Sequence, residues 1–297
     1  METTTAKRRA TTEDEITAEV LQRFEATSDP RLRQIVLSLV RHLHGFVKDV
    51  QLTEREWFQA IKFLTDTGHM CDNRRQEFIL LSDTLGVSMV VDLITHRKPD
   101  GATESTVFGP FHREGAPELP PGGTIAPRDT KGMPTLVRGQ VLNLAGQPIE
   151  GAILDVWQTD SDGLYDSQIG GGDELHMRGK FRTDTEGRYL VRTVRPVHYQ
   201  IPSDGPVGQM LRATNRHPWR PAHIHFVVSA DGYEPVTTHI FDDIDEYLES
   251  DAVFAVKDSL ICTFATHETQ DDDAARHGIE PPFCTTDFDF VLKPAQK

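Results

Sequence analysis

The stretch His217 to Phe226, His-Pro-Trp-Arg-Pro-Ala-His-Ile-His-Phe, holds two histidines one residue apart, His223 and His225. The residues after them, Phe226, Val227 and Val228, are aromatic or β-branched and favour a strand. In a strand, residues i and i+2 share a face. His223 and His225 are therefore expected side by side, with Ile224 turned into a core. Two imidazoles on one face suit a metal. Arg220 adds a fixed positive charge beside them, and Pro221 fits the first position of a strand, where no ladder donor is needed. A bare His-x-His is more often two ordinary half-buried histidines than a metal site, so the remaining ligands decide.

Cysteine does not supply them: Cys71, Cys262 and Cys284 are far apart and odd in number. A cupin-type site would want a carboxylate about four residues on, and the first acid after His225 is Asp231, in an apparent turn. Tyrosine is the other source. A phenol titrates near 10 when free, and a bound trivalent cation would lower that enough to give phenolate at neutral pH. Two phenolates are hard anionic donors and favour ferric iron. Of the five tyrosines, Tyr165 and Tyr199 each follow a strand-like run and rank first, because loops at strand ends commonly carry function. Tyr189 lies within a strand, Tyr233 in a turn and Tyr247 in an acidic loop, all with ordinary structural explanations.

Two kinds of element must position these groups. Residues 12 to 97 read as helical. Thr12 with Glu15 and Thr53 with Glu56 are capping boxes, and Pro30 after Asp29 suits a first helical turn. Leu32, Ile35, Leu39, Leu43, Phe46 and Val50 fall on one face, an apolar stripe whose ordinary use is core packing and whose sharper use is pairing with a second subunit. A further helix is expected from about Arg74 to Ile94, apolar on most sides and hence buried. From about Ser105 prolines and glycines become frequent and short strands follow, at 136–142, 152–157, 181–183, 188–194, 222–229, 236–241, 259–264 and 288–292. Asp184 to Gly187 is a hairpin signal, Ala252 to Val256 a short helix or extra strand, and the acidic runs 242–251 and 271–273 solvated loops. The segment 267–282 reads only as a surface loop. The expected architecture is α+β: residues 1–104 a helical domain and residues 105–297 a β-sandwich.

Composition bounds the class. Charged residues are 26% and apolar residues 37%, ordinary for a soluble globular protein. A formal net charge of −15 argues against nucleic-acid binding through a basic surface. Lys7, Arg8 and Arg9 are not followed by an apolar run, so a signal peptide is not expected. No apolar run is long enough to span a bilayer, and few cysteines fit a reducing cytoplasm.

Taken in order, several pieces resemble the intradiol ring-cleavage dioxygenases. They are Asp155-Val156-Trp157-Gln158 leading into Gly163-Leu164-Tyr165-Asp166, then Phe181-Arg182-Thr183-Asp184 and Gly187-Arg188-Tyr189. Tyr199-Gln200-Ile201-Pro202 and Arg220-Pro221-Ala222-His223-Ile224-His225-Phe226 complete the set. The resemblance covers nearly the whole chain and, unlike His-x-His alone, is highly specific. It implies non-haem Fe(III) held by Tyr165, Tyr199, His223 and His225. Tyr199 would act as a base, and Arg220 would stabilise the activated substrate. It also implies a homodimer through the N-terminal helices, with lipid possible at that interface.

Leu80 and Asp83, Val107-Phe108-Gly109-Pro110-Phe111, Thr238-His239-Ile240-Phe241 and Asp251-Ala252-Val253-Phe254 resemble the branch that cleaves hydroxyquinol (benzene-1,2,4-triol) with O₂ rather than the catechol branch, which usually has glutamine where His239 stands. Asp83 is a potential acceptor for a third substrate hydroxyl, although a surface acid or helix-end cap would look the same. Leu80, Val107, Phe108, Pro110, Phe111, Ile201, Pro202 and Val253 would make an apolar slot for a flat ring, with Gly109 among them. Rival readings are a catechol or chlorocatechol enzyme, a transthyretin-like binding module without chemistry, and a zinc hydrolase using a carboxylate.

Overall fold

The first helix starts where its cap dictates. In this computed structural model, which describes residues 9–72, 75–127, 129–169, 175–270 and 272–295, the Thr12 hydroxyl accepts the Glu15 N–H at 3.2 Å and the Glu15 carboxylate accepts the Thr12 N–H at 3.1 Å. That reciprocal pair opens α1 (Glu13–Phe24). Asp29 caps α2 (Pro30–Asp49), and the same reciprocal arrangement of Thr53 and Glu56 opens α3 (Glu54–His69). Lys7, Arg8, Arg74 and Asp271 lie outside the described residues. The chain divides into two units, Met1–Asp66 and Thr67–Lys297. In the first, the α2 stripe does not pack into a core: Leu32, Ile35, Leu39, Leu43, Phe46 and Val50 are all exposed.

The helix expected from Arg74 to Ile94 is two. α4 (Glu77–Thr84) and α5 (Val87–Thr95) are bent by 79°. Gly86 sits between them at φ +73°, a left-handed turn that glycine takes without steric cost. The bend separates the apolar faces, so Val90, Val91 and Ile94 are exposed instead of buried. Among the described residues no single helix is long and apolar enough to cross a membrane.

The strands follow in the order β1 (Pro134–Asn143), β2 (Ile153–Trp157), β3 (Arg178–Arg182), β4 (Arg188–Val194) and β5 (Tyr199–Gln200). After α6 (Pro206–Ala213) come β6 (Trp219–Arg220), β7 (His223–Ser229), β8 (Val236–Asp242), β9 (Ile261–Cys262) and β10 (Ala265–His267). α7 (Asp272–Arg276), β11 (Phe283–Asp287) and β12 (Phe290–Leu292) close the chain. One sheet runs β10-β11-β1-β12, with β4 also on β1; the other runs β3-β2-β7-β8-β9. Val137, Val141 and Val191 of the first meet Leu154, Val156, Ile224, Phe226 and Val228 of the second in one buried core. The result is a β-sandwich after a helical region, the α+β arrangement expected.

Four local expectations change. Asp184 to Gly187 does turn, with the Asp184 carboxylate accepting the N–H groups of Glu186 and Arg188. Yet β3 and β4 belong to different sheets, so the turn joins layers instead of closing a hairpin. Ala252 to Val256 is neither helix nor strand. The acidic run is not wholly solvated: Asp242 is buried against Arg195, at 2.7 and 3.0 Å, and Asp251 is buried as well. Segment 267–282 carries α7, and its Ala274 and Ile279 pack with Leu136 and Phe283 in a second small core.

Replacing Gly86 with alanine should lower stability by about 1 kcal/mol through the left-handed backbone alone. A Cβ there meets only ordinary contact, 3.5 Å from the Phe254 ring. Thermal unfolding that is unchanged in Gly86→Ala would contradict this account of the bend.

Candidate metal centre

Strand alternation does to β7 what the sequence implied. Ile224, Phe226 and Val228 enter the sandwich core, while His223 and His225 lie together on the other face, 3% and 1% exposed. Sheet register extends that face sideways. Trp157 pairs with Arg178 on one side and His225 on the other, and His225 pairs with His239. Arg178, Trp157, His225 and His239 thus form one row across four strands. The Trp157 ring stacks on His225 at 4.6 Å and 14°, which fixes the plane of that imidazole.

Two loops bring the phenols. Asp160 accepts the N–H groups of Asp162 and Leu164, shaping the turn that delivers Tyr165. The next residue, Asp166, is locked to buried Arg178 at 2.7 and 2.5 Å. Burial alone would raise the Asp166 pKa, but the Arg178 hydrogen bonds and charge outweigh it and hold the carboxylate below its usual range. Tyr199 arrives on the short ribbon β5–β6, directly opposite Arg220.

The four expected ligands converge. The Tyr165 hydroxyl lies 2.9 Å from His225 Nε2 and donates to the Tyr199 hydroxyl at 3.4 Å, and the Nε2 atoms of His223 and His225 are 3.1 Å apart. Metal–ligand bonds of about 2 Å place neighbouring ligands roughly 3 Å apart, so these spacings fit a shared first-row ion. His223 Nδ1–H donates to the Pro221 carbonyl at 2.7 Å, which leaves the lone pair on Nε2, facing the other donors. Burial, reinforced by Arg220, drives the pKa of both histidines well below the usual value, so both stay neutral and available as ligands. Burial and neighbouring Tyr199 push Tyr165 well above 10, so only a cation brought to this face would make it a phenolate.

Arg220 is the fifth member. Its Nη1 donates to the Tyr199 hydroxyl and to His223 Nε2, both at 3.3 Å. Burial opposes its charge, but Asp251 and the two phenols more than offset that, and the guanidinium stays protonated. Asp251 accepts from Arg220 Nε at 3.1 Å and Nη2 at 3.4 Å, leaving Nη1 aimed at the donors.

The expected substrate-contacting residues divide. A Cβ on Gly109 would come within 3.4 Å of His225 Cε1, and Phe111 stacks on Tyr165 at 4.4 Å. Asp83 is buried within electrostatic reach of Arg220 and Asp251. Leu80, Val107, Ile201 and Val253 are buried, Pro202 is half-buried and Pro110 is exposed. Phe108 is 48% exposed and packs on His112 and Trp157 instead of the phenols.

Sequence reasoning gave no role to several residues here. His239 was only a marker of branch, yet it is fully buried and joins His223 and His225 in a cluster whose ligand atoms lie within 4.8 Å of one another. Its Nδ1 is bonded to the Thr106 hydroxyl, and its Nε2 has no partner among the described residues. Alternation in the strand 236–241 could have found it, since His239 and Phe241 must share a face. Asp251 and Arg178 carried no such signal, because their partners are distant in sequence. The histidine cluster contains no carboxylate, unlike the site of the zinc-hydrolase alternative.

Comparison with known proteins agrees with this geometry. Residues 29–103 match the family described as Catechol dioxygenase N terminus, and residues 109–294 match the one described as Dioxygenase. A 6-chlorohydroxyquinol 1,2-dioxygenase of Cupriavidus pinatubonensis is 49% identical, over 94% of this chain and 96% of its own. The crystal structure of a hydroxyquinol 1,2-dioxygenase from Pseudomonas putida DLL-E4 superposes with a TM-score of 0.90 at 49% identity, covering 95% of this chain and 99% of that one. Catechol 1,2-dioxygenase of Acinetobacter radioresistens is more distant, with a TM-score of 0.84 at 28% identity, covering 98% and 96%. The chain belongs to the intradiol ring-cleavage dioxygenases, a family of non-haem iron enzymes.

Asp83 provides a test of the site's electrostatics. Burial first, and Asp251 second, raise its pKa; Ser88 and Arg220 oppose them without cancelling the shift. A carboxyl whose folded pKa is raised costs stability once pH climbs above its unfolded value. Asp83→Asn should therefore be more stable than the parent at pH 7, and the gain should shrink as pH falls toward 4. A gain that is constant with pH, measured by urea unfolding across that range, would show that Asp83 is not held this way.

Proposed function

We propose that this enzyme opens the ring of hydroxyquinol between its two adjacent hydroxylated carbons, using O₂, to give 3-hydroxy-cis,cis-muconate, the tautomer of maleylacetate. The observation that carries the reading is the convergence of two phenols and two neutral imidazoles under one buried arginine. Tyr165, Tyr199, His223 and His225 would hold Fe(III). When bound, the iron would supply Lewis acidity that favours the deprotonated form of the two adjacent substrate hydroxyls.

The chain does the rest. Tyr199, whose oxygen accepts a hydrogen bond from Arg220 Nη1, would be the base that takes a substrate hydroxyl proton. Arg220 then faces the negative charge of the deprotonated substrate from a site that excludes water, where a fixed charge counts for most. Phe111, stacked on Tyr165, would offer a flat apolar wall, with Gly109 and Pro110 beside it and Leu80, Val107, Ile201, Pro202 and Val253 the remaining candidates for the slot, while Phe108 packs away from the phenols on His112 and Trp157. Asp83 would accept a hydrogen bond from the third hydroxyl. Support for the triol over catechol comes from relatives of both kinds: those named for hydroxyquinols are 44–49% identical to this chain, whereas the catechol 1,2-dioxygenases of Candida albicans and Acinetobacter radioresistens are 40% and 28% identical. The name of one of them also favours a chlorinated hydroxyquinol as a second substrate.

In this reading residues 1–104 serve dimerisation and residues 105–297 catalysis. The exposed stripe on α2 supplies the apolar face that a homodimer would cover. A lipid, as the resemblance implies, would lie at that interface against the same apolar stripe. The free thiols of Cys71, Cys262 and Cys284 suit a cytoplasmic enzyme.

Oxygen uptake at saturating substrate should be faster with benzene-1,2,4-triol than with catechol; faster turnover of catechol per site would overturn the assignment. Asp83→Ala should reduce kcat/KM for the triol about tenfold more than for catechol, the scale of one hydrogen bond to a substrate hydroxyl. Equal losses would make Asp83 structural.

A further inference from the structure

Arg216 lies outside the metal centre, yet it touches two of the elements that bear on it. Its Nη1 donates to the Thr84 carbonyl at 2.5 Å, and its Nη2 donates to the Ala252 carbonyl at 2.9 Å. Thr84 ends α4, one residue after Asp83 and one turn after Leu80. Ala252 immediately precedes Val253. One planar fork therefore joins the helix that carries Asp83 to the loop that carries Val253.

Each end of that bridge has a physical reason. α4 has no basic residue in its own last turn, and its final carbonyls need donors and a compensating positive charge. Arg216 supplies both from a distant part of the chain. The other end of α4 is pinned to α6, where the Val207 N–H donates to Glu77 Oε1 at 3.2 Å. The loop is held tightly too. Asp251, while gripping Arg220, also accepts the N–H groups of Val253 at 3.2 Å and Ala255 at 2.9 Å. Phe254 is forced to φ +60°, a conformation that non-glycine residues rarely adopt, and its ring is exposed. The Arg216 guanidinium covers that ring, with Cζ 4.9 Å from its centre. The loop is thus clamped by Arg216 at Ala252 and Phe254, and by Arg220 through Asp251.

We propose that Arg216 is a specificity-determining positioning residue: its two-pronged bridge fixes the spacing between the Asp83 and Val253 walls, and so the ring substituents that the site accepts. This rests on the proposed reading of those walls as substrate contacts. Arg216 does not touch the four metal-binding donors, so the chemistry itself should survive its loss. Lysine keeps the charge but has a single nitrogen on a flexible stem and cannot hold two carbonyls in one plane.

The test uses the full-length, iron-loaded enzyme and two variants, Arg216→Met and Arg216→Lys. Both should retain iron and the visible absorption of the parent, with kcat on catechol changed by less than about twofold. In both, kcat/KM for the triol relative to catechol should fall about tenfold, mostly through KM. The same comparison with 4-chlorocatechol against catechol should also shift. Ratios unchanged from the parent, or equal losses on every substrate, would overturn the proposal. So would restoration of the parent ratios by lysine, because charge at the helix end would then suffice. A parent enzyme inactive on the triol would remove the substrate assignment while leaving the chlorocatechol comparison to decide the role of Arg216.

Discussion

Burial of charge together with four candidate metal ligands is the constraint around which the second unit is built. Tyr165, Tyr199, Arg220, His223 and His225 are each between 1% and 4% exposed. A guanidinium taken out of water without a partner would cost several kcal/mol. Asp251 offsets part of that cost with two hydrogen bonds, and in doing so ties the loop after it to the same centre. The histidines answer the constraint differently, by staying neutral. Tyr165 stays protonated until a cation takes the proton's place. The centre is thus poised for a highly charged cation, with the protein charge nearest the donors already placed to meet an anionic substrate.

The sandwich makes this burial possible because each strand of the inner sheet has two jobs. On β7, alternate residues fill the core or face the metal centre, so a shift of register by one would exchange them. Trp157 from β2 and His239 from β8 hold His225 between them in one sheet row. Arg178 closes the row and fixes Asp166, and through it the loop of Tyr165. The glycine turn at Gly86 and the Arg216 bridge hold α4 and the loop after Asp251 by contacts separate from the four candidate donors.

Local features were legible in the sequence because their causes are local. Thr12, Asp29 and Thr53 state where helices begin, and the alternation around Ile224 states which way His223 and His225 point. The helical region followed by a β-sandwich was legible for the same reason. What distance in sequence conceals is partnership. Asp251 reads as the end of a solvated acidic run until Arg220 is set beside it, and Asp184 to Gly187 reads as a hairpin until β3 and β4 are seen in different layers. The apolar residues of α4 and α5 suggested one buried helix because periodicity does not register a 79° bend. Tyr165 and Tyr199 were singled out by chemistry and loop position, but only the fold brings their oxygens to 3.4 Å.

The central claim is that two tyrosinates and two histidines of this chain hold ferric iron. The most direct measurement is the visible spectrum of the pure, iron-loaded protein. Tyrosinate bound to ferric iron gives a broad red-brown charge-transfer band, and that band is the predicted result. An iron-loaded protein without colour would contradict the account.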